Sequence, residues 1–379
     1  MLSNHPVCFA STLLEKEGRK FGNVELDALF SPDYAMARDR FRSAAQAAGA
    51  TPEALALEAR GPGGEALTID IARLGAPGAR RVLLHTCGLH GVEAFAGSAV
   101  QLAALADSPD PPEDCALVLV HVLNPYGMAW LRRANENNVD LNRNFPAPGE
   151  GRTGAPALYA RLDPLLNPAA ATGRERFRWK LATAVLRHGL RAVTQAIAEG
   201  QYEFPRGLFF GGSKLESGPA LYLDWLRSNL AHARTLFALD FHTGLGRHGE
   251  EMLVLEPGVS ATPAPELERA FHRRVLDPAM GRATYRTRGG MGGALPRTLP
   301  GVRIDFVLQE IGTRHPLAVL HALREENRWH QHGRAAPTHP AKQALRDALC
   351  PPSPRWRRQA LERGLALLRA AAAWTWYKS

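Results

Sequence analysis

The chain has 379 residues, 45% of them hydrophobic, and a formal net charge of +9 from 46 Lys and Arg against 37 Asp and Glu. That length can bury a sizeable core, and the absence of any run of about 18 uncharged apolar residues excludes a membrane-spanning helix. The positive excess is arginine spread along the chain, with short clusters such as the one at 355–358 and no basic stripe interleaved with aromatics, so nucleic acid is not expected as a partner; without a spanning run, neither is a membrane.

Taken in chain order, the start carries Glu15, Lys16, Glu17 and Arg19 without the apolar centre of a secretory signal, which points to the cytoplasm. Cys8, Cys87, Cys115 and Cys350 form no CxxC pair, so they are expected as reduced thiols rather than a metal ribbon or a disulfide framework. Asp33 to Ala48 has helical spacing with Gly49 as its stop. Ala54–Ala59 and Ala66–Leu74, separated by Gly61-Pro62-Gly63-Gly64, predict a hairpin. Arg81–His85 predicts a buried strand, Glu93 to Asp107 a helix, and Cys115–Leu123 another buried strand.

Strand, helix, strand is the crossover of a parallel sheet. Further strands are expected over 236–241, 252–255 and 303–309, and helices near 174–199, 219–234, 264–276 and 317–329. The fold class that follows is α/β, a three-layer α/β/α arrangement around a mixed, largely parallel sheet. Residues 1–379 are read as a single domain. An insertion is expected at 146–215, and a helical tail from 354 packed by its Ala-Trp-Thr-Trp-Tyr end.

Four motifs carry chemistry. His85-Thr-Cys-Gly-Leu-His90-Gly-Val-Glu93 lies where a buried strand passes into a helix, and His90 and Glu93, three residues apart, can point to one side. Leu236-Phe-Ala-Leu-Asp-Phe-His242-Thr-Gly delivers a second histidine at a strand end, where sites form in open α/β sheets. Together they supply the two histidines and one glutamate of a hydrolytic zinc site. Phe306-Val-Leu-Gln-Glu310 carries a carboxylate at the end of an apolar strand; Glu310 is either a surface glutamate or a general base. The run from Arg132 and Arg133 through Asp140, Asn142, Arg143 and Asn144 is either a polar surface loop or a site for a carboxylate and a developing oxyanion.

His90-Gly-Val-Glu93, Asn124-Pro-Tyr-Gly127, Val139-Asp-Leu-Asn-Arg-Asn-Phe145, His242 and Glu310-Ile-Gly-Thr, in that order, resemble the M14 metallocarboxypeptidase superfamily. That superfamily includes the deacylases of the aspartoacylase and succinylglutamate desuccinylase type. The wider text, with Pro205-Arg-Gly-Leu-Phe-Phe-Gly-Gly212, is similar to the bacterial branch designated DUF2817. The resemblance implies one zinc ion per chain held by His90, Glu93 and His242, with Asp140 orienting the first histidine. It implies Glu310 as general acid/base, Asn142 and Arg143 as the pair for a substrate carboxylate, and Arg133, with Arg132 as its rival, at the oxyanion. Tyr285 is the candidate for a substrate-contacting tyrosine, without a motif of its own. The implied reaction is hydrolysis of an amide beside a free carboxylate. A carboxypeptidase acting on small peptides is preferred, a deacylase of N-acyl amino acids is the alternative, and a non-catalytic zinc scaffold is a third reading.

Overall fold

The computed structural model describes residues 26–107, 109–170, 176–278, 285–333 and 336–377. The expected N-terminal stretch and Cys8 lie outside them. Helix α1 (Tyr34–Ala47) begins where the Asp33 carboxylate accepts the Met36 amide at 2.8 Å, and it stops before Gly49, whose φ of +84° only glycine adopts without strain. The hairpin forms as β1 (Glu53–Arg60) and β2 (Ala66–Gly75). Then come β3 (Arg81–Cys87), α2 (Ala94–Ala106), β4 (Cys115–His121) and the short α3 (Pro125–Ala129). Helices α4 (Ala157–Leu166), α5 (Phe177–His188), α6 (Leu190–Ala198) and α7 (Ser217–Leu230) follow. The remainder is β5 (Thr235–Gly244), β6 (Glu251–Val254), α8 (Ala264–Phe271), β7 (Val275–Leu276), β8 (Arg303–Gly312), α9 (Pro316–His332), α10 (Pro340–Leu349) and α11 (Pro354–Tyr377).

The eight strands lie in the order β1-β2-β4-β3-β5-β8-β6-β7. The four central strands, β4, β3, β5 and β8, run parallel, while β2 and β6 join them antiparallel, so the sheet is mixed as expected. Strand side chains alternate between faces, and both faces are covered. Leu83, Leu117, Phe237 and Leu239 point to a core shared with Phe41 of α1, Ala99 of α2 and Leu361 and Leu365 of α11. Val82, Leu84, Val118, Leu236 and Ala238 point to a second core with Tyr222 and Leu226 of α7. That double covering makes the three-layer α/β/α architecture.

Several expected boundaries shift. The helix expected over 264–276 ends at Phe271: His272 turns left-handed at φ 51°, and Val275 and Leu276 pair with β6 instead. The helix expected over 174–199 is broken at Gly189, φ +82°, into α5 and α6. With α4 these two share a small core of Tyr159, Leu162, Leu181, Val193 and Ile197. Strands β5 and β8 run past their expected ends because their pairing continues through His242 with Glu310 to Gly244 with Gly312. The tail from 354 is helical and packed: Trp356 is fully buried, with its indole N–H donating to the Gly312 carbonyl at 2.8 Å. Cys87, Cys115 and Cys350 are free and buried. No described helix is long and apolar enough to cross a membrane.

Strand order reverses at β3. From it the chain moves outward to β4 and later returns to the other side as β5. The carboxyl ends of β3 and β5 therefore flank the topological switch point, where open α/β sheets leave a crevice.

Candidate metal centre

The turn after β3 brings His90 and Glu93 to that crevice. Gly91 packs backbone to backbone on Gly127, and a Cβ added to Gly91 would lie 2.2 Å from the Gly127 carbonyl carbon. This close approach is why the His-Gly-Val-Glu and Asn-Pro-Tyr-Gly motifs occur together. Asn124 fixes the second motif by accepting the Gly127 amide at 2.8 Å. The carbonyls of Arg132 and Arg133 accept the Val92 and Gly91 amides, at 2.8 and 3.3 Å.

On β5, even-numbered residues face the α7 side, so Asp240 and His242 share a face, and Glu310 sits beside His242 on β8. Ligand-capable atoms of His90, Glu93 and His242 all lie within 4.8 Å of one another, and all three residues are buried. His90 Nδ1 is 3.1 Å from Glu93 Oε1 and 3.2 Å from His242 Nδ1, and His242 Nδ1 is 3.3 Å from Glu93 Oε2. The far nitrogen of each ring meets a carboxylate: His90 Nε2 lies 3.1 Å from Asp140 and His242 Nε2 lies 2.6 Å from Asp240.

That donor set fits a zinc ion. Asp240 on His242 Nε2 favours the proton there and leaves that ring's lone pair on Nδ1. His90 Nε2 is shared between Asp140 and the Arg133 Nη2 donor at 2.7 Å, and the Nδ1 atoms of both rings converge with the Glu93 carboxylate. Such a convergence is repulsive unless a cation takes the centre. Burial pushes the Glu93 carboxyl up, but His90, His242 and Arg133 outweigh it and hold it well below the usual range. Burial lowers His242, and Asp240 with Glu93 more than reverse that, so positive charge is favoured at this point. Nitrogen and oxygen donors in this number match a catalytic zinc site.

Glu310 is half-buried, and its Oε2 has no hydrogen-bond partner among the described residues. Burial raises its carboxyl to about 7; the charge of Glu93 adds to this, while His242, His90 and Arg133 oppose it. A carboxylate so poised exchanges protons readily near neutral pH. Tyr285 is within electrostatic reach of it: burial and then the Glu310 charge raise the phenol, while Arg143 and Arg133 lower it.

The two arginines separate cleanly. Arg132 points away, its Nε donating to Glu326 at 2.9 Å and its Nη2 to Asn138 and Asn327 at 2.8 and 2.9 Å. Buried Lys342 meets the same Glu326 oxygen at 2.5 Å. Arg133 faces the cluster, 3.0 Å from both Asp140 and Glu93. Arg143 is buried beside it. Its Nη1 donates to the Asn142 carbonyl at 2.8 Å and its Nη2 to the Ala198 carbonyl at 2.5 Å, while its Nε has no partner among the described residues. A guanidinium has five N–H groups, so Arg143 is anchored at its edge with donors to spare. Asn142 accepts the Met291 amide at 3.2 Å. Asn144 is a fastener, donating to the Gly211 and Lys214 carbonyls at 2.8 Å.

A family model described as a protein of unknown function, DUF2817, matches residues 30–363. The chain belongs to the DUF2817 family. Comparison with curated proteins found no match. Among solved structures, this DUF2817 chain is similar to the carboxypeptidase A of Helicoverpa armigera at 13% identity, over 96% of this chain and 78% of that one, with a TM-score of 0.49. Bovine thrombin-activatable fibrinolysis inhibitor matches at 12% identity, over 89% and 95% of the two chains, with a TM-score of 0.44. The murein-tripeptide amidase MpaA of Escherichia coli O157 matches at 19%, over 74% and 92%, with a TM-score of 0.36. Likeness at this level decides nothing about the substrate.

Three residues of the DUF2817 site escaped the sequence reading. Asp240 was legible, because it stands two residues before His242 on one strand and so shares its face. Phe209 was not: its backbone is left-handed at φ 58°, and its ring lies 5.5 Å from the Arg133 guanidinium carbon and 6.0 Å from that of Arg143. Glu256 accepts the Gly293 amide at 3.0 Å, and its carboxylate lies where a Cβ on Gly290 or Gly292 would come within 2.6 or 2.9 Å. The glycine run at 289–293 was the signal for a close neighbour.

Proposed function

We propose that this protein is a zinc-dependent hydrolase of amide bonds beside a free carboxylate, acting as a carboxypeptidase on small peptides. The observation that carries the reading is the convergence of His90, Glu93 and His242 next to Glu310 at the carboxyl ends of three neighbouring strands. Bound by those three residues, zinc would supply Lewis-acid activation of water and of the scissile carbonyl.

The chain's own groups do the rest. Asp140 and Asp240 hold the two imidazoles in orientation. Glu310 takes the proton from the attacking water and returns it to the leaving amine. Arg133 steadies the negative charge that develops on the carbonyl oxygen. The spare N–H groups of Arg143, with Asn142 beside it, receive the substrate carboxylate.

An N-acyl amino acid offers the same carboxylate, so a deacylase would use the same groups. Screening the purified zinc form against C-terminally free peptides and N-acyl amino acids separates the two activities. Glu310→Gln serves as the control, with turnover expected to fall at least about 10²-fold. No hydrolysis in either panel, or unchanged turnover in the variant, would contradict the reading.

A further inference from the structure

Helix α5 buries one face and leaves another uncovered. Phe177 and Leu181 enter the small helical core, while Trp179 is 77% exposed, Leu186 is 88% exposed, and Leu190, at the start of α6, is 67% exposed. Trp179 and Leu186, seven residues apart, fall on one stripe at helical spacing with Thr183 between them, and Leu190 follows just after the break at Gly189. Elsewhere among the described residues only Tyr377, at 73%, leaves a large apolar side chain comparably bare. Apolar exposure so concentrated in one place marks a contact surface.

The charge carried by the stripe's own segment has one sign. Residues 176–191 contain Arg176, Arg178, Lys180, Arg187 and Arg191 and no Asp or Glu. All five cations are exposed.

We propose that the exposed face of α5 and the start of α6 is a docking surface for an anionic lipid membrane, on which the protein lies without spanning it. Trp179, Leu186 and Leu190 would leave water for the headgroup boundary while the flanking cations meet anionic headgroups, the division of labour of an interfacial helix. A second copy of the chain fits less well, since a face-to-face pair would set cations against cations. Nucleic acid would use the cations and could stack on Trp179, but it gives Leu186 and Leu190 nothing. The sequence alone points to no membrane partner, because no apolar run is long enough to span one and the aromatic helical tail reads as packed rather than laid on a surface. A short helix with a two-turn apolar stripe is not such a run.

The test is co-sedimentation of the full chain with vesicles of phosphatidylcholine alone and of phosphatidylcholine with phosphatidylglycerol. Binding is expected to the anionic vesicles and to weaken with salt. The double variant Trp179→Ser with Leu186→Ser should bind about tenfold more weakly or worse, with an unchanged circular dichroism spectrum because both side chains are exposed. Arg178→Gln with Arg187→Gln, which removes two of the five cations, should bind anionic vesicles more weakly and with a shallower salt dependence. Failure of the wild type to sediment with anionic vesicles would overturn the assignment, as would a serine variant that binds like wild type. Loss of a wild-type dimer in the serine variant would reassign the surface to a second copy, and binding to duplex DNA without vesicle binding would reassign it to nucleic acid.

Discussion

Asp240 Oδ2 lies 2.6 Å from His242 Nε2, with both residues on the same face of β5. The other Asp240 oxygen accepts the Thr86 hydroxyl at 2.7 Å, so the carboxylate is held from the neighbouring strand before it holds the imidazole. His242 is thereby presented with Nδ1 toward His90 and Glu93. Asp240→Asn preserves the shape and removes the charge. Zinc affinity should fall about 10- to 100-fold, the usual cost of losing such a partner, measured by competition with a chromogenic chelator. An affinity equal to wild type would make Asp240 a structural residue only.

How much of this was legible before folding depends on range. Motifs that stay within one turn or strand end, such as His90 with Glu93, could be read because they stand three residues apart on a single turn. The short continuous apolar runs at 81–85 and 236–241 placed the buried strands and, with the helices between them, the three-layer sheet. What could not be read depended on contacts distant in sequence. Arg132 and Arg133 are neighbours with one chemistry, and only Glu326 and Lys342, on α9 and α10, show which one turns inward. Phe209 reaches the arginines through a left-handed backbone that nothing in its side chain announces. Strands β5 and β8 ran on through His242 and Glu310 because each is the other's partner, a fact absent from either segment alone.

Gly200 tests the role of Arg143 without touching it. Its φ is +106°, and a Cβ there would stand 2.5 Å from Arg143 Cδ. Gly200→Ala should displace the guanidinium and raise KM about tenfold, with zinc content unchanged, since a misplaced fork loses its two-pronged grip on a carboxylate. Arg143→Lys should behave alike. Each is assayed on one substrate as free acid and as amide; equal rates for acid and amide on wild type would remove the carboxylate-anchoring role.

Lys342 carries a pH signature. It is fully buried, and burial lowers its ammonium to about 8, with Glu326 opposing and Arg132 adding. The folded chain therefore releases this proton before the unfolded chain, whose lysine titrates near about 10.4. Between those values the unfolded state binds more protons, so stability rises with pH. The unfolding free energy of wild type relative to Lys342→Met should be flat below about pH 8 and climb by up to about 3 kcal/mol toward about pH 10.5. Denaturant titrations across that range check it, and parallel curves for the two proteins would contradict it.

Metal content tests the central claim most directly, because every catalytic role assigned above depends on the set formed by His90, Glu93 and His242. Elemental analysis of the purified chain, expressed with zinc and dialysed, should give about one zinc per chain for wild type. The variants His90→Ala and His242→Ala should be near zero, and Glu310→Gln should retain the metal. Full zinc occupancy in both alanine variants, or none in wild type, would contradict the assignment.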